Sequence, residues 1–199
     1  MNYVEYGKEN SDVIILLHGG GLSCWNYKEV AERLQTDYHV VLPILDGHAG
    51  CDKQFTTIEN NALDIIEFVN SKLGGSVLMM GGLSLGGQIL LEILSRRKDI
   101  CKYAIVESVL VIPSKFTYSM IKPAFGSCYG LIKYKWFSKL QFKSLRIKSN
   151  LFDEYYKDTC AIRKSDMIAF LQENSVYSLK DGIGECEARS IYYDLFRFR

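Results

Sequence analysis

The pentapeptide Gly82-Leu83-Ser84-Leu85-Gly86 places the tightest constraint on how this chain of 199 residues can fold. It follows the short apolar run 77–80, which predicts a buried strand, and it opens the stretch 84–96, which predicts a helix. A serine on such a turn has a strained backbone, and strand and helix approach closely only if the residues two positions away are small. The pattern therefore predicts a sharp turn with Ser84 at positive φ, as the G-x-S-x-G motif requires.

Short apolar runs alternate with helical patterns along the first half of the chain. Residues 13–17, 40–45 and 103–106 are rich in β-branched side chains and show no alternation, which indicates strands buried on both faces. Between them, residues 25–34 place Val30, Ala31 and Leu34 on one apolar helical stripe. The repeated alternation predicts an α/β fold with a mostly parallel sheet and flanking helices.

A long helix is predicted after residue 56. Thr56 and Glu59 have the spacing of a capping box, and apolar residues follow at intervals of three and four until Gly74 and Gly75.

Three segments are predicted from where this alternation stops. Residues 1–112 form the core, residues 113–180 are irregular, aromatic and charged and are predicted to be an inserted cap, and residues 181–199 return to the core. Residues 190–193 predict a fifth parallel strand, but no helix pattern follows. The sequence therefore predicts a sheet that lacks its last strand and helix.

A second glycine cluster, His18-Gly19-Gly20-Gly21, follows the first buried strand. Glycine backbone of this kind can approach a substrate, and its N–H groups can stabilise an oxyanion together with Leu85 at the start of the helix. Gly20 is the preferred second donor, with Gly21 next. The alternative is that both glycine clusters are ordinary turns.

Over about residues 3–112 the chain resembles the α/β-hydrolase family. The resemblance rests on residues 18–21, on Asp46-Gly47-His48 and on residues 82–86. It implies a Ser84 nucleophile that attacks an acyl carbon, with a carboxylate and then a histidine following it along the chain. The three histidines of this chain are His18, His39 and His48, and all precede the serine.

The sequence alone therefore does not identify the base and the acid that would act with Ser84. His48 is the one candidate for a substitute base, because the loop after its strand is expected to open on the same sheet edge. Glu107 and Asp194 both follow later strands, where the family places its acid, although either can be an ordinary strand-end carboxylate. The resemblance supports hydrolysis of esters or thioesters, and the missing histidine supports a catalytically impaired or non-catalytic protein, or a truncated gene product.

Residues 108–152 contain no Asp or Glu. Their cationic residues are Lys115, Lys122, Lys133, Lys135, Lys139, Lys143, Arg146 and Lys148. Aromatic residues are interleaved with them, which indicates a cap with an apolar underside and a solvated outer face. Recognition of an anionic substrate group or docking on an anionic membrane are the sharper alternatives.

Composition excludes several other classes. The net charge is +1 and no nucleic-acid-binding module is present, so no nucleic-acid partner is expected. There is no secretory signal pattern and no apolar run of membrane-spanning length, so no stable membrane insertion is expected. The six scattered cysteines lack metal-ligand spacing, which fits reduced thiols in the cytoplasm, no metal and no cofactor. A small-molecule acyl compound is the expected partner, and the oligomeric state is open.

Overall fold

The structure is a computed structural model that describes residues 1–145 and 147–193. Its sheet has six strands in the described residues, in the order β1-β3-β2-β4-β5-β6. Their bounds are β1 Tyr3–Tyr6, β2 Val13–Leu17, β3 His39–Pro43, β4 Val77–Leu83, β5 Cys101–Glu107 and β6 Arg189–Tyr193. Strands β2 to β6 pair in parallel, and β1 pairs antiparallel with β3. The predicted α/β fold with a mostly parallel sheet is confirmed, and β1 is an additional edge strand.

Three helices connect the first five strands. They are α1 Lys28–Leu34, α2 Ile58–Lys72 and α3 Leu85–Arg96, with a 3₁₀ turn at Cys24–Tyr27 before α1. In β2 the side chains of Ile14 and Leu16 pack with Ala31 of α1, whereas Ile15 and Leu17 pack with residues of α2 and α3. Because successive residues of a strand point to opposite faces, helices cover both sides of the sheet.

Two local predictions were wrong. Thr57, not Thr56, is the N-cap of α2, and its hydroxyl oxygen accepts a hydrogen bond from the Asn60 N–H at 3.0 Å. Thr57 has the extended backbone that an N-cap needs, and the Thr56 hydroxyl instead accepts from the Asn60 side chain. Of the predicted stripe of α1, Ala31 is buried and Leu34 packs against the same cluster, whereas Val30 is exposed.

Four helices lie between β5 and β6. They are α4 Lys115–Cys128, α5 Lys135–Ser144, α6 Phe152–Ala161 and α7 Lys164–Val176. Phe142 of α5 and Tyr155 of α6 form a buried cluster with Leu22, and Leu83 packs against that cluster. These helices therefore cover the sheet edge beside Ser84. The lysines of residues 108–152 are exposed, and Arg146 lies outside the described residues.

Within residues 1–145 and 147–193, none of the helices combines the length and the apolar character that crossing a bilayer requires.

Candidate functional site

Ser84 sits at the turn between β4 and α3 with φ 50° and ψ −112°. Its N–H donates a hydrogen bond to the carbonyl oxygen of Glu107, at 2.9 Å, which ties the turn to the end of the neighbouring strand. A non-glycine residue in this region of backbone space is strained and persists only where the surrounding structure holds it. The positive φ predicted for Ser84 is confirmed, and the side chain stands at the N-terminus of a 12-residue helix.

The glycines around Ser84 are required by close backbone contacts. A Cβ at Gly82 would overlap the carbonyl of Gly86, and a Cβ at Gly86 would overlap the carbonyl of Leu17 at the end of β2. A Cβ at Gly87 would overlap the side chain of Val109. Strand β4, helix α3 and the end of β2 therefore approach closely enough to fix the turn only because these three residues lack side chains.

The loop residue Gly20 lies close to side chains of α3 and α7, since a Cβ on it would be 3.1 Å from the Phe170 ring. Gly20 lies beside the start of α3, where a Cβ on it would be 3.6 Å from Cδ2 of Leu85. Leu85 is the first residue of α3, so its N–H has no acceptor within the helix. Among the described residues, none accepts a hydrogen bond from the Gly20 N–H. Both amides are thus free of acceptors in the described part of the chain, and the Leu85 N–H lies at the positive end of the helix dipole.

Gly21, the second choice among the loop glycines, has its N–H engaged. That N–H donates to Nε2 of His48, at 3.0 Å, and the Gly21 carbonyl accepts from the Thr159 hydroxyl, at 3.3 Å. Gly21 has φ 77°, which is left-handed backbone that glycine adopts without strain. Of the two glycines, only Gly20 has an N–H without an acceptor among the described residues.

His48 acts as a structural clamp on this loop. Because Nε2 accepts from Gly21, the neutral ring carries its proton on Nδ1, and that N–H donates to the Asp46 carbonyl at 3.0 Å. Burial lowers the pKa of His48 from 6.5 to about 4. Phe170 of α7 stacks on the ring, with centroids 4.9 Å apart. Both ring nitrogens are occupied, so this imidazole has no free lone pair for a serine proton.

His18 is clamped in the same way. Its Nε2 accepts from the Leu45 N–H at 3.2 Å, and its Nδ1–H donates to the Gly19 carbonyl at 3.0 Å. Burial and the neighbouring His48 lower the pKa of His18 from 6.5 to about 3. His18 therefore stays neutral and connects the glycine loop to the end of β3.

The third histidine, His39, lies at the start of β3. Its Nε2 is 3.1 Å from a carboxylate oxygen of Glu5, on edge strand β1. The carboxyl end of β4, which carries Ser84, is at the other end of the parallel strands, so His39 is remote from the serine.

Of the two candidate acids, only Glu107 lies within the described residues. Glu107 ends β5 opposite Leu83 in the strand register, and its carbonyl holds the Ser84 N–H, while its side chain is exposed. Asp194 lies outside the described residues.

Asp46, part of the Asp46-Gly47-His48 motif, is a buried carboxylate that the sequence did not mark as a candidate acid. Burial raises its pKa, and Lys53 lies 3.9 Å away. Its N–H donates to the Asn61 side chain at 3.0 Å, which anchors the loop to α2. Among the residues that the structure describes, no group of three or more His, Cys, Asp or Glu side chains could hold a metal ion.

Sequence reasoning also missed the contacts between α3 and the helices before β6. Gln88 is fully buried, and its amide donates to the carbonyls of Leu110 at 2.6 Å and Asn174 at 3.0 Å. The Asn174 amide donates back to Gln88 at 3.0 Å. Ser108, directly after β5, has φ 52° and is a second left-handed serine next to the turn. The glutamine-to-asparagine pairing joins residues far apart in sequence, so no local pattern signals it.

Comparison with solved structures finds the same fold in several known proteins. A thermophilic esterase from Thermogutta terrifontis matches with a TM-score of 0.77 and 16% identity, over 96% of this chain and 73% of that chain. The enol-lactonase from Burkholderia xenovorans LB400 matches with a TM-score of 0.76 and 13% identity, over 96% and 76%. MenH from S. aureus matches with a TM-score of 0.69 and 15% identity, over 96% and 77%. At these identities the likeness shows the fold alone.

The sequence comparisons narrow this fold to a family. None of the curated proteins compared with this chain matches it significantly. Residues 14–177 match the sequence profile of the alpha/beta hydrolase family, and that range includes the glycine loop, the turn at Ser84 and the helices that follow β5. Since this match spans most of the chain, the chain belongs to the alpha/beta hydrolase family.

Proposed function

We propose that this chain carries the nucleophile and oxyanion hole of a hydrolase acting on carboxylic esters or thioesters, with Ser84 as nucleophile. Family membership supports hydrolase activity in general. One observation carries the finer proposal: left-handed Ser84 stands at the N-terminus of α3, where Gly20 lies against Leu85. Among the described residues neither the Leu85 N–H nor the Gly20 N–H has an acceptor, so both can donate to a serine-bound oxyanion in the proposed site.

The proposed chemistry is acyl transfer to the serine and then to water. The Ser84 oxygen forms a bond to the acyl carbon, whose carbonyl oxygen becomes negative and is stabilised by the N–H groups of Leu85 and Gly20. Collapse of this intermediate breaks the bond to the leaving alcohol or thiol and leaves an acyl-serine. Water then attacks the acyl-serine and regenerates the hydroxyl. The serine proton must pass to a base in the first step.

None of the three histidines of this chain is arranged to be that base. Both nitrogens of His48 and of His18 are occupied by backbone groups, and His39 pairs with Glu5 at the other end of the strands. Without a base, the Ser84 hydroxyl is a weak nucleophile at neutral pH. Losing a triad member costs serine hydrolases about 10⁴ to 10⁶ in turnover. We therefore expect this polypeptide of 199 residues to hydrolyse esters slowly.

The occupied histidines also favour a second candidate function, a non-catalytic hydrolase-like protein that binds a small acyl compound. Both candidates use the same division of the chain: a core of residues 1–112, a cap of 113–180 and a return to the core at 181–199. The packing of Phe142 and Tyr155 against Leu22 and Leu83 supports the cap.

The six free cysteines support a reducing compartment, which we propose to be the cytoplasm.

Labelling with a fluorophosphonate probe and hydrolysis of p-nitrophenyl acetate test the proposal. Because Ser84 lacks a positioned base, the probe should modify it slowly, as identified by peptide mass spectrometry after long incubation. The Ser84→Ala variant should lose both this labelling and the protein-dependent part of hydrolysis. Ser108→Ala is the matched control, because Ser108 has the same left-handed backbone at the adjacent strand end. Labelling of the folded chain at another serine, or none above that of Ser84→Ala, would contradict a Ser84 nucleophile and favour the binding function.

A further inference from the structure

Helix α5 presents an exposed face that the proposed hydrolase site does not use. Its inner side is fixed by Ser138, which is fully buried and donates to the Ile132 carbonyl at 2.6 Å, and by Phe142 in the cluster with Leu22. On the opposite side Trp136 is 64% exposed and Leu140 is 63% exposed. These two residues are one helical turn apart, so they form a continuous apolar row that faces away from the protein.

A row of lysines runs beside that apolar row. Three lysines follow one another at intervals of four residues and so share one side of the same helix: Lys135, Lys139 and Lys143. In the described part of the chain none of the three lies within ion-pair distance of a carboxylate. By contrast Lys148, from the same basic stretch, pairs with Glu29. Within residues 1–145 and 147–193, the lysines of α5 are therefore not paired with carboxylates.

Side chains of α6 hold two of these lysines along the helix. The Lys135 ammonium lies 5.6 Å from the ring centre of Tyr156, and the Lys139 ammonium lies 5.6 Å from that of Phe152. The two lysines line an open groove of about 440 Å³, in which Asp153 is the acidic member. The groove thus offers two positioned cations and one carboxylate at the edge of the apolar row.

We infer that this α5 face, defined by Trp136, Leu140 and the lysine row 135, 139 and 143, docks the protein on the surface of an anionic lipid bilayer. Trp and Leu side chains enter the boundary between head groups and acyl chains, and lysines beside them pair with lipid phosphates and carboxylates. The charge of this region favours an anionic bilayer as the partner, because residues 108–152 contain lysines and an arginine but no acidic residue. Docking of this kind is peripheral and needs no spanning helix. It is independent of whether Ser84 is a nucleophile.

Vesicle co-sedimentation tests the inference directly. The chain is mixed with vesicles of phosphatidylcholine alone or with about 30% phosphatidylserine, a content that gives a strongly negative surface. We expect at least about tenfold more binding to the anionic vesicles, reduced as added salt shortens the Debye length. Equal binding to both vesicle types, or none to either, would overturn the proposal.

Two variants and their matched controls assign the binding to α5. Lys135→Glu/Lys139→Glu/Lys143→Glu should weaken binding by at least about 100-fold, because each lysine near an anionic surface contributes about fivefold and the new carboxylates are repelled. The control Lys72→Glu/Lys102→Glu/Lys180→Glu changes the net charge equally at exposed sites outside α5 and should bind much more tightly. Likewise, Trp136→Ala/Leu140→Ala should weaken binding, and Val30→Ala/Leu63→Ala, at exposed apolar sites, should not. Circular dichroism establishes that each variant is folded, and equal losses in test and control variants would refute the assignment.

A fluorescence measurement separates the bilayer from other occupants of the same face. The chain has two tryptophans, and Trp25→Phe leaves Trp136 as the only one. With anionic vesicles that contain brominated acyl chains, Trp136 emission should shift to the blue and be quenched. If it instead shifts with protein concentration alone and the mass in solution doubles, a second copy covers the face. Tighter binding to an RNA oligonucleotide than to vesicles would equally reject a bilayer surface.

Discussion

The backbone N–H of Gly21 donates a hydrogen bond to Nε2 of His48, and 27 residues separate the two along the chain. The bond engages the N–H of left-handed Gly21, whereas the Gly20 N–H has no acceptor among the described residues. It also holds His48 in the neutral form, because a protonated ring has no lone pair to accept the Gly21 hydrogen. His48 therefore serves the proposed oxyanion hole as a positioning residue.

The free energy of unfolding should decrease at acidic pH, because His18 and His48 are held neutral in the folded chain. Burial lowers the pKa of His48 from 6.5 to about 4 and that of His18 from 6.5 to about 3. The unfolded chain therefore takes up protons at higher pH than the folded chain. Stability is full above pH 6.5 and falls below it, by up to about 1.4 kcal/mol per pH unit for each histidine, until the folded pKa values are reached.

Urea unfolding between about pH 5 and 6.5 measures this slope where most carboxylates remain ionised. In His48→Gln the side-chain carbonyl can still accept from Gly21, and one titrating group is lost, so the slope should fall by about half. An unchanged slope in this variant would show that His48 is not held neutral.

The glycine at position 86 should tolerate no side chain. In Gly86→Ala the new methyl group would overlap the carbonyl oxygens of Leu17 and His18, which are backbone and cannot turn away. We expect a loss of at least about 3 kcal/mol in the free energy of unfolding, the upper range for overpacking. Gly126→Ala in α4 is the control, since no atom lies within 4 Å of its Cβ position. That variant should be stabilised by about 0.4–1 kcal/mol. Similar stabilities for the two variants would contradict the close packing of the turn.

The buried pair Gln88 and Asn174 should be strongly coupled. Gln88→Ala removes the donor to two carbonyls, of Leu110 and Asn174, at a cost of about 1–3 kcal/mol for each buried group left unsatisfied. In a double-mutant cycle with Asn174→Ala, measured by urea unfolding, we expect a coupling energy of about 1–2 kcal/mol. Gln172→Ala is the control, because its bond to the Tyr118 carbonyl is exposed. Additive effects at positions 88 and 174 would mean that the pair does not join α3 to α7.

An added base should partly restore ester hydrolysis by Ser84. A positioned base contributes about 10² to 10⁴ in rate, and freely diffusing imidazole should recover part of that factor. We expect p-nitrophenyl acetate hydrolysis to rise with imidazole concentration in the wild-type chain beyond the rise in Ser84→Ala, which reports the reaction of imidazole with the ester alone. Rapid Ser84-dependent hydrolysis without imidazole would instead reveal a base already in place and refute our account of the three histidines.

The sequence by itself determined the parts of this protein that depend on neighbouring residues. The apolar run, the glycines two positions from Ser84 and the helix pattern after it are contiguous, so they specified the strand-to-helix turn and its positive φ. The same local signals specified the order of buried strands, but not the N-cap at Thr57, where two adjacent threonines compete and backbone geometry decides.

Only the tertiary structure decided which residues distant in sequence form hydrogen bonds with one another. His48 was a candidate base until its position showed both nitrogens bonded to backbone, and Lys148 differs from the α5 lysines only because Glu29 lies beside it. Gln88 likewise gained its role from helices more than 80 residues away. Buried polar groups must find partners wherever folding places them, and those partners are set by packing across the sheet edge rather than by sequence spacing.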